Sequence, residues 1–288
     1  MGKIHTALSK YDSGQSLKVI SQTQPIMRNT DPTAIGATVV KPDRVKPRSG
    51  VPQIDPKIDP NLVVYHDPAS MEAEIFKILR NNILFPKEGS PPPSIMVTSA
   101  VPGDGKSFVA ANLAICIAQG VEEHVLLMDC DMRRSSIHRQ FGFDDSVPGL
   151  CEYLSKGVDL SSLLKKTVVD KLTILPGGST PDNPSELLSS QAMKLLLEQT
   201  KNRYSDRYII VDSPPPQLTA ETTALAKYID GIVLVVRSEK TPKNQVNDLV
   251  NLLGREKILG VVLNGYKTPA TERYGYGRYK EYKKGYKK

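Results

Sequence analysis

Three short stretches of this 288-residue chain carry side chains able to manage a phosphate and a cation. In SAVPGDGKS, Gly103 and Gly105 free the backbone to turn its amides toward an anion. Lys106 reaches terminal phosphates there, and the Ser107 hydroxyl is a Mg²⁺ ligand. The stretch departs from G-x-x-x-x-G-K-[ST] at the first glycine, where Ala100 stands. Gly103, Asp104, Gly105, Lys106, Ser107 and Phe108 form the expected nucleotide-binding set. In VLLMDCDMRR an apolar run ends on Asp129 and Asp131, and in YIIVDSPP another ends on Asp212. Isolated aspartates at strand ends are usually caps or turn residues. Three of them on apolar strands, in a chain with a phosphate loop, point instead to Mg²⁺ held directly or through water. Ser107, Asp129, Asp131 and Asp212 are therefore the expected metal set. Arg133 and Arg134 follow at once, and two roles stay open for them: steadying phosphate charge, or shaping the strand-to-helix connection.

The elements that must hold these residues alternate. Apolar runs SIMVTSA, HVLLMDCD, KLTILPGG, YIIVDSPP, GIVLVVRS and ILGVVLNGY read as strands. Helices are predicted from Ser70 in SMEAEIFKILRNNILF, in SFVAANLAICIAQG, as one long helix within SELLSSQAMKLLLEQTKNRY, and in TTALAKY and QVNDLVNLLGRE. Fully apolar strands with helices between them predict a doubly wound, mostly parallel α/β sheet covered by helices on both faces. Active residues then belong at the carboxyl ends of the strands. Asn264, ending VVLN, is read as a turn cap, with a nucleotide base as the alternative partner.

This domain is predicted over residues 69–268. Residues 1–68 hold eight of the 22 prolines and repeats such as IDPKIDP, which predicts a flexible linker, with MGKIHTAL as a candidate helical docking element. Residues 269–288 predict a disordered tail. Seven of its Lys and Arg residues stand against Glu272 and Glu281, so it carries +5 of the net +7. The rest of the chain is too nearly neutral for a nucleic-acid-binding body. Cys116, Cys130 and Cys151 lack metal-ligand spacing and sit in or beside apolar runs, as buried thiols of a reducing compartment do. No apolar run is long enough to cross a bilayer, which predicts a cytosolic protein reaching a membrane only through a partner or the tail.

EIFKILRNNI, TSAVPGDGKS, LLMDCDMRR, GLCEYLSKG, LTILPGGSTPDNPSELLSS, YIIVDSPP and GVVLN together resemble the bacterial tyrosine kinases of capsule and exopolysaccharide synthesis, in their stand-alone cytoplasmic form. The resemblance implies a P-loop NTPase fold of MinD-like type, ATP and Mg²⁺ as cofactors, and phosphoryl transfer to tyrosine. It gives Lys106 and Ser107 the phosphate-loop roles, Asp129 and Asp131 the acidic motif and Asp212 the metal-binding aspartate. The phenol, with a pKa of about 10, needs a carboxylate to accept or orient its proton, and Asp129 is the first candidate with Asp131 second. The tail tyrosines Tyr274, Tyr276, Tyr279, Tyr282 and Tyr286 match the autophosphorylation cluster. Glu74, Lys77 and Arg80 occupy the positions of a Glu, Arg, Arg series used between ring subunits, and Ser135 stands where the family carries proline. Implied partners are further copies of the chain, a separate transmembrane polysaccharide co-polymerase and a tyrosine phosphatase, at the inner face of the membrane. The alternative is a positioning ATPase of the MinD or ParA type without kinase activity. Val101 stands where those proteins carry a second lysine.

Overall fold

A computed structural model describes residues 57–203, 207–214 and 221–266, together with Ile4–His5. The chain begins with β1 (Ile4–His5), α1 (Val63–His66) and α2 (Met71–Leu84). It continues through β2 (Ser94–Ser99), α3 (Lys106–Ala118), β3 (His124–Asp129), α4 (Ile137–Gln140), α5 (Leu150–Lys156) and α6 (Leu160–Leu163). Then come β4 (Lys165–Lys166), β5 (Leu172–Leu175), α7 (Pro184–Ser189), α8 (Gln191–Arg203) and β6 (Arg207–Asp212). The last elements are α9 (Glu221–Ala226), β7 (Gly231–Arg237), α10 (Lys243–Leu253) and β8 (Ile258–Asn264).

The strands form one sheet in the order β1-β8-β7-β2-β6-β3-β5-β4. The six inner strands are parallel, and β1 and β4 close the two edges in antiparallel pairing. Successive side chains of a strand leave opposite faces, and the core divides accordingly. Ile95, Val97, Val125, Leu127, Val233 and Val235 join α1, α2 and α3 on one face. Met96, Leu126, Met128, Ile232 and Leu234 join α5, α7, α8 and α10 on the other. This is the doubly wound arrangement, and it explains why the strand runs show no polar alternation.

α2 starts where the sequence indicates, because the Ser70 hydroxyl accepts the Ala73 amide at 3.1 Å. The long helix expected within SELLSSQAMKLLLEQTKNRY is α8, and the short α7 precedes it. Ser190 between them is extended (φ −69°, ψ 158°), and its hydroxyl caps α8 through the Met193 amide at 3.2 Å. Ile4–His5 form a strand on β8 where a helical element was considered. The core also reaches upstream of residue 69. Ile58, Leu62 and Val64 are buried, and Asn112 of α3 accepts the Val64 amide and donates to the Asn61 carbonyl, each at 3.1 Å. Apart from Ile4–His5, the linker predicted upstream of residue 57 and the tail after 266 lie outside the described residues.

Candidate active site

The order of the sheet brings the three chemical stretches together. β2, β6 and β3 are adjacent and parallel, so the phosphate loop after β2, Asp212 ending β6 and Asp129 ending β3 share one edge. Asp212 pairs with Val97 on one side and Asp129 on the other. α3 begins from Gly105 at φ 100°, a left-handed conformation that favours glycine. Lys106 and Ser107 therefore occupy the first turn, where free amides and the helix dipole favour an anion.

Asp212 is fully buried, and neither of its carboxylate oxygens completes a hydrogen bond. Burial and the charge of Asp129 push its pKa well up, opposed by the neighbouring Ser107 hydroxyl and Lys106. A buried carboxylate with only the loosely aligned Ser107 hydroxyl beside it is costly unless a cation meets it. Asp131 is also raised by burial, with Lys106 pulling the other way. Asp129 is equally buried but accepts four hydrogen bonds. Its Oδ2 accepts from the Ser135 hydroxyl at 2.8 Å and from the Ser136 and Ile137 amides at 2.9 and 3.1 Å, and its Oδ1 accepts the Asp131 amide at 3.2 Å. Burial still raises its pKa against those donors, and the charge of Asp131 adds to the rise.

Among the described residues no three His, Cys, Asp or Glu side chains form a cluster fit to hold a metal unaided. That agrees with Mg²⁺, which commonly takes one or two protein oxygens and completes its shell with phosphate and water. The open oxygens of Asp212 beside Ser107 fit such an ion. Gly105 leaves room for the Asn264 side-chain amide, which a Cβ there would strike, and the free first-turn amides of α3 fit the phosphates.

Two loop supports escaped the sequence reading. The Asn264 amide donates to the Asp104 carbonyl at 2.7 Å, and the Thr241 hydroxyl donates to Asp104 Oδ1 at 2.8 Å. Asp104 is thus buried with its side chain turned to Thr241, and burial raises its pKa. Phe108 packs edge-on against Phe76 with ring centroids 6.0 Å apart. Of these two members of the predicted nucleotide set, Asp104 thus spends its side chain on Thr241 and Phe108 on packing. A hydroxyl before Pro242 and an amide at a strand end look like ordinary turn residues, so sequence offered little signal for Thr241 and only a cap for Asn264. Arg133 takes the structural option left open for it, since its Nε and Nη2 donate to the buried Glu221 carboxylate at 3.1 and 3.0 Å.

Known proteins share this geometry. The ParA family, described as NUBPL iron-transfer P-loop NTPase, matches residues 92–273. Tyrosine-protein kinase YwqD of Bacillus subtilis is 36% identical over 218 residues, which cover 75% of this chain and 90% of that protein. The chain belongs to the bacterial tyrosine kinases. The kinase domain of Escherichia coli tyrosine kinase ETK superposes with a TM-score of 0.67 at 29% identity, covering 77% of this chain and 88% of that one. The septum site-determining protein MinD of Pyrococcus horikoshii, complexed with Mg-ADP, reaches 0.50 at 22% identity over 58% of this chain and 68% of its own. That likeness concerns the fold alone, so the positioning-ATPase alternative is not favoured. Cys116, Cys130 and Cys151 are buried free thiols.

This bacterial tyrosine kinase is a nucleotide-binding P-loop enzyme, a protein-tyrosine kinase by family. The residues expected between subunits are engaged within the chain: Lys77 bridges Glu74 at 2.9 Å and donates to the Pro68 carbonyl, while Arg80 donates to the Cys116 carbonyl at 3.2 Å. No described helix is long and apolar enough to cross a membrane. Tyr274, Tyr276, Tyr279, Tyr282 and Tyr286 lie outside the described residues.

Proposed function

We propose that this kinase uses ATP with Mg²⁺ to phosphorylate the tail tyrosines of a neighbouring copy, and that this modification regulates capsular or exopolysaccharide synthesis and export. The observation carrying the reading is the pair of unpartnered Asp212 oxygens beside Ser107 and Lys106, with Asp129 paired across the sheet. Ser107 and Asp212 would hold the cation, with Asp129 and Asp131 adjacent. Lys106 and the first-turn amides of α3 would neutralise and orient the phosphates, which is most of what phosphoryl transfer asks of a protein. Asp129, fixed by its four donors, would orient the phenol and receive its proton, with Asp131 as the nearest substitute.

The tail supports the choice of acceptor by composition. Each phosphate adds about −1.5 to −2 charges, so modification at Tyr274, Tyr276, Tyr279, Tyr282 and Tyr286 reverses the tail's sign. Such a reversal would loosen an assembly held through its lysines. Glu74, Lys77 and Arg80 are assigned to the contact between copies. A separate transmembrane polysaccharide co-polymerase, together with a tyrosine phosphatase, would place the protein at the inner face of the membrane.

Incubation with ATP and Mg²⁺, followed by mass-spectrometric mapping, tests the proposal. Phosphotyrosine within residues 274–286, absent in Lys106→Met, supports it. ATP hydrolysis with an unmodified tail, also in the presence of the activator's cytoplasmic segment, overturns it.

A further inference from the structure

The loop that follows β3 contains a hydrogen-bonded series that the reaction just described does not need in order to bind nucleotide. The Ser135 hydroxyl lies 2.8 Å from Asp129 Oδ2 and 3.2 Å from His138 Nδ1. His138 Nε2 lies 3.0 Å from Asp145 Oδ1. Asp129 is fully buried and His138 is 5% exposed, whereas the Asp145 side chain is 74% exposed. The series thus runs from the centre of the site to its surface.

Donor counting gives each member its part. The Asp129 carboxylate accepts only, so the single Ser135 proton goes to it. The Ser135 oxygen can then accept from His138 Nδ1 whenever that nitrogen carries a proton, which, with Nε2 turned to an acceptor-only carboxylate, is the doubly protonated ring. The exposed Asp145 carboxylate faces the other ring nitrogen and fixes the ring, assisted by Arg139, whose Nε lies 3.4 Å from the same oxygen. Behind the serine, Gly177 closes the space: a Cβ there would stand 2.8 Å from Ser135 Oγ and 2.9 Å from its Cβ. Ser135 is therefore confined from three directions to the position in which it donates to Asp129.

We propose that Ser135, braced by His138, Asp145 and the bare backbone of Gly177, is a positioning residue for Asp129. It commits Oδ2 to the 135–137 turn and leaves Oδ1, which takes only the 3.2 Å bond from the Asp131 amide, as the oxygen available to an acceptor phenol. A proline at this position, as the family resemblance has it, supplies no hydroxyl. Asp129 would then rely on the Ser136 and Ile137 amides alone to choose its rotamer. The serine thus adds a donor that tightens the geometry of this carboxylate.

The inference rests on the proposed tyrosine transfer for its kinetic consequence and on the free protein for its structural one, and the test reads both. Ser135→Ala, Ser135→Pro and Ser135→Thr are compared with wild type for tail phosphorylation and, without nucleotide, for amide hydrogen exchange at Ser136 and Ile137. Expected are a kcat lower by about tenfold in Ser135→Ala and Ser135→Pro with KM for ATP within about twofold, and recovery in Ser135→Thr. Exchange at the two amides should quicken by about tenfold in Ser135→Ala, because Asp129 samples other rotamers. An unchanged kcat, a loss appearing in KM instead, or unchanged exchange overturns the proposal. Should the wild type transfer no phosphate at all, the reading of the reaction fails, and exchange alone then decides whether Ser135 positions Asp129.

Discussion

Replacing Asp212 by asparagine should make the nucleotide-free protein more stable while abolishing its activity. The carboxylate is fully buried, has no hydrogen-bond partner and pairs across the sheet with Asp129. Neighbouring strands lie about 4.8 Å apart, so the two carboxylates, once both are ionised, repel by about 3 kcal/mol at an effective dielectric near 20. Asparagine keeps the shape and removes the charge, but its amide inherits the same lack of partners, costing about 1–2 kcal/mol. The net gain is about 1–2 kcal/mol, or about 3–6 °C in Tm for a domain of this size.

The pH dependence has a definite sign. The native pKa of Asp212 is raised from its ordinary 3.8 by burial and by Asp129. As pH climbs above 3.8, the unfolded chain releases this proton while the native chain retains it, so wild-type stability falls until the native group also ionises. The advantage of Asp212→Asn is therefore nil in acid and grows as pH rises through that window. With Mg²⁺ and nucleotide at about 100 times Kd, the wild type gains about 2.7 kcal/mol, and the variant, lacking the ligand oxygen, gains less. Thermal unfolding with EDTA and again with Mg²⁺ and nucleotide measures both. A variant less stable than wild type in EDTA at neutral pH refutes the reasoning that burying this carboxyl beside Asp129 costs stability until a cation meets it.

Asn264→Ala leaves the Asp104 carbonyl without its donor, so nucleotide affinity should fall about tenfold by calorimetry with little loss of Tm. Gly105→Ala forces a side chain into a backbone at φ 100° and against the Asn264 amide, and nucleotide binding should be lost while circular dichroism stays native. Leu62 is 1% exposed, so Leu62→Ala should cost about 2–5 kcal/mol in urea unfolding, and a chain starting at residue 69 should melt below one starting at 57. Glu152 is drawn two ways: burial raises its pKa, but the Ser179 hydroxyl, the Gly149 amide and other donors outweigh it and leave the group lowered. Its ionised form thus stabilises the native state above the unfolded pKa, and that share is lost as pH falls through the lowered value. Glu152→Gln should flatten the acid limb of the stability curve.

Much of the site was legible because its signals are local. Gly-Lys-Ser after an apolar strand, and aspartates closing two others, state their chemistry in a few adjacent residues, and the unbroken apolar strands announce a sheet covered on both faces. The break at Ser190 was not legible, because SELLSSQAMKLLLEQTK has helical spacing throughout and only packing decides which turn gives way. Leu62 and Val64 were hidden among prolines, where composition outweighs two or three apolar residues.

What the sequence alone determined is the set of reactive groups and the two-faced sheet that carries them, since both follow from short-range pattern. Which groups meet was decided by tertiary structure. β6 enters the sheet between β2 and β3, and so brings Asp212, more than eighty residues away in the chain, beside Asp129. Burial then leaves one carboxylate open and commits an oxygen of the other to the 135–137 turn. The same folding turns Thr241 onto Asp104 and Asn264 onto the phosphate loop, contacts between distant stretches that no local spacing encodes.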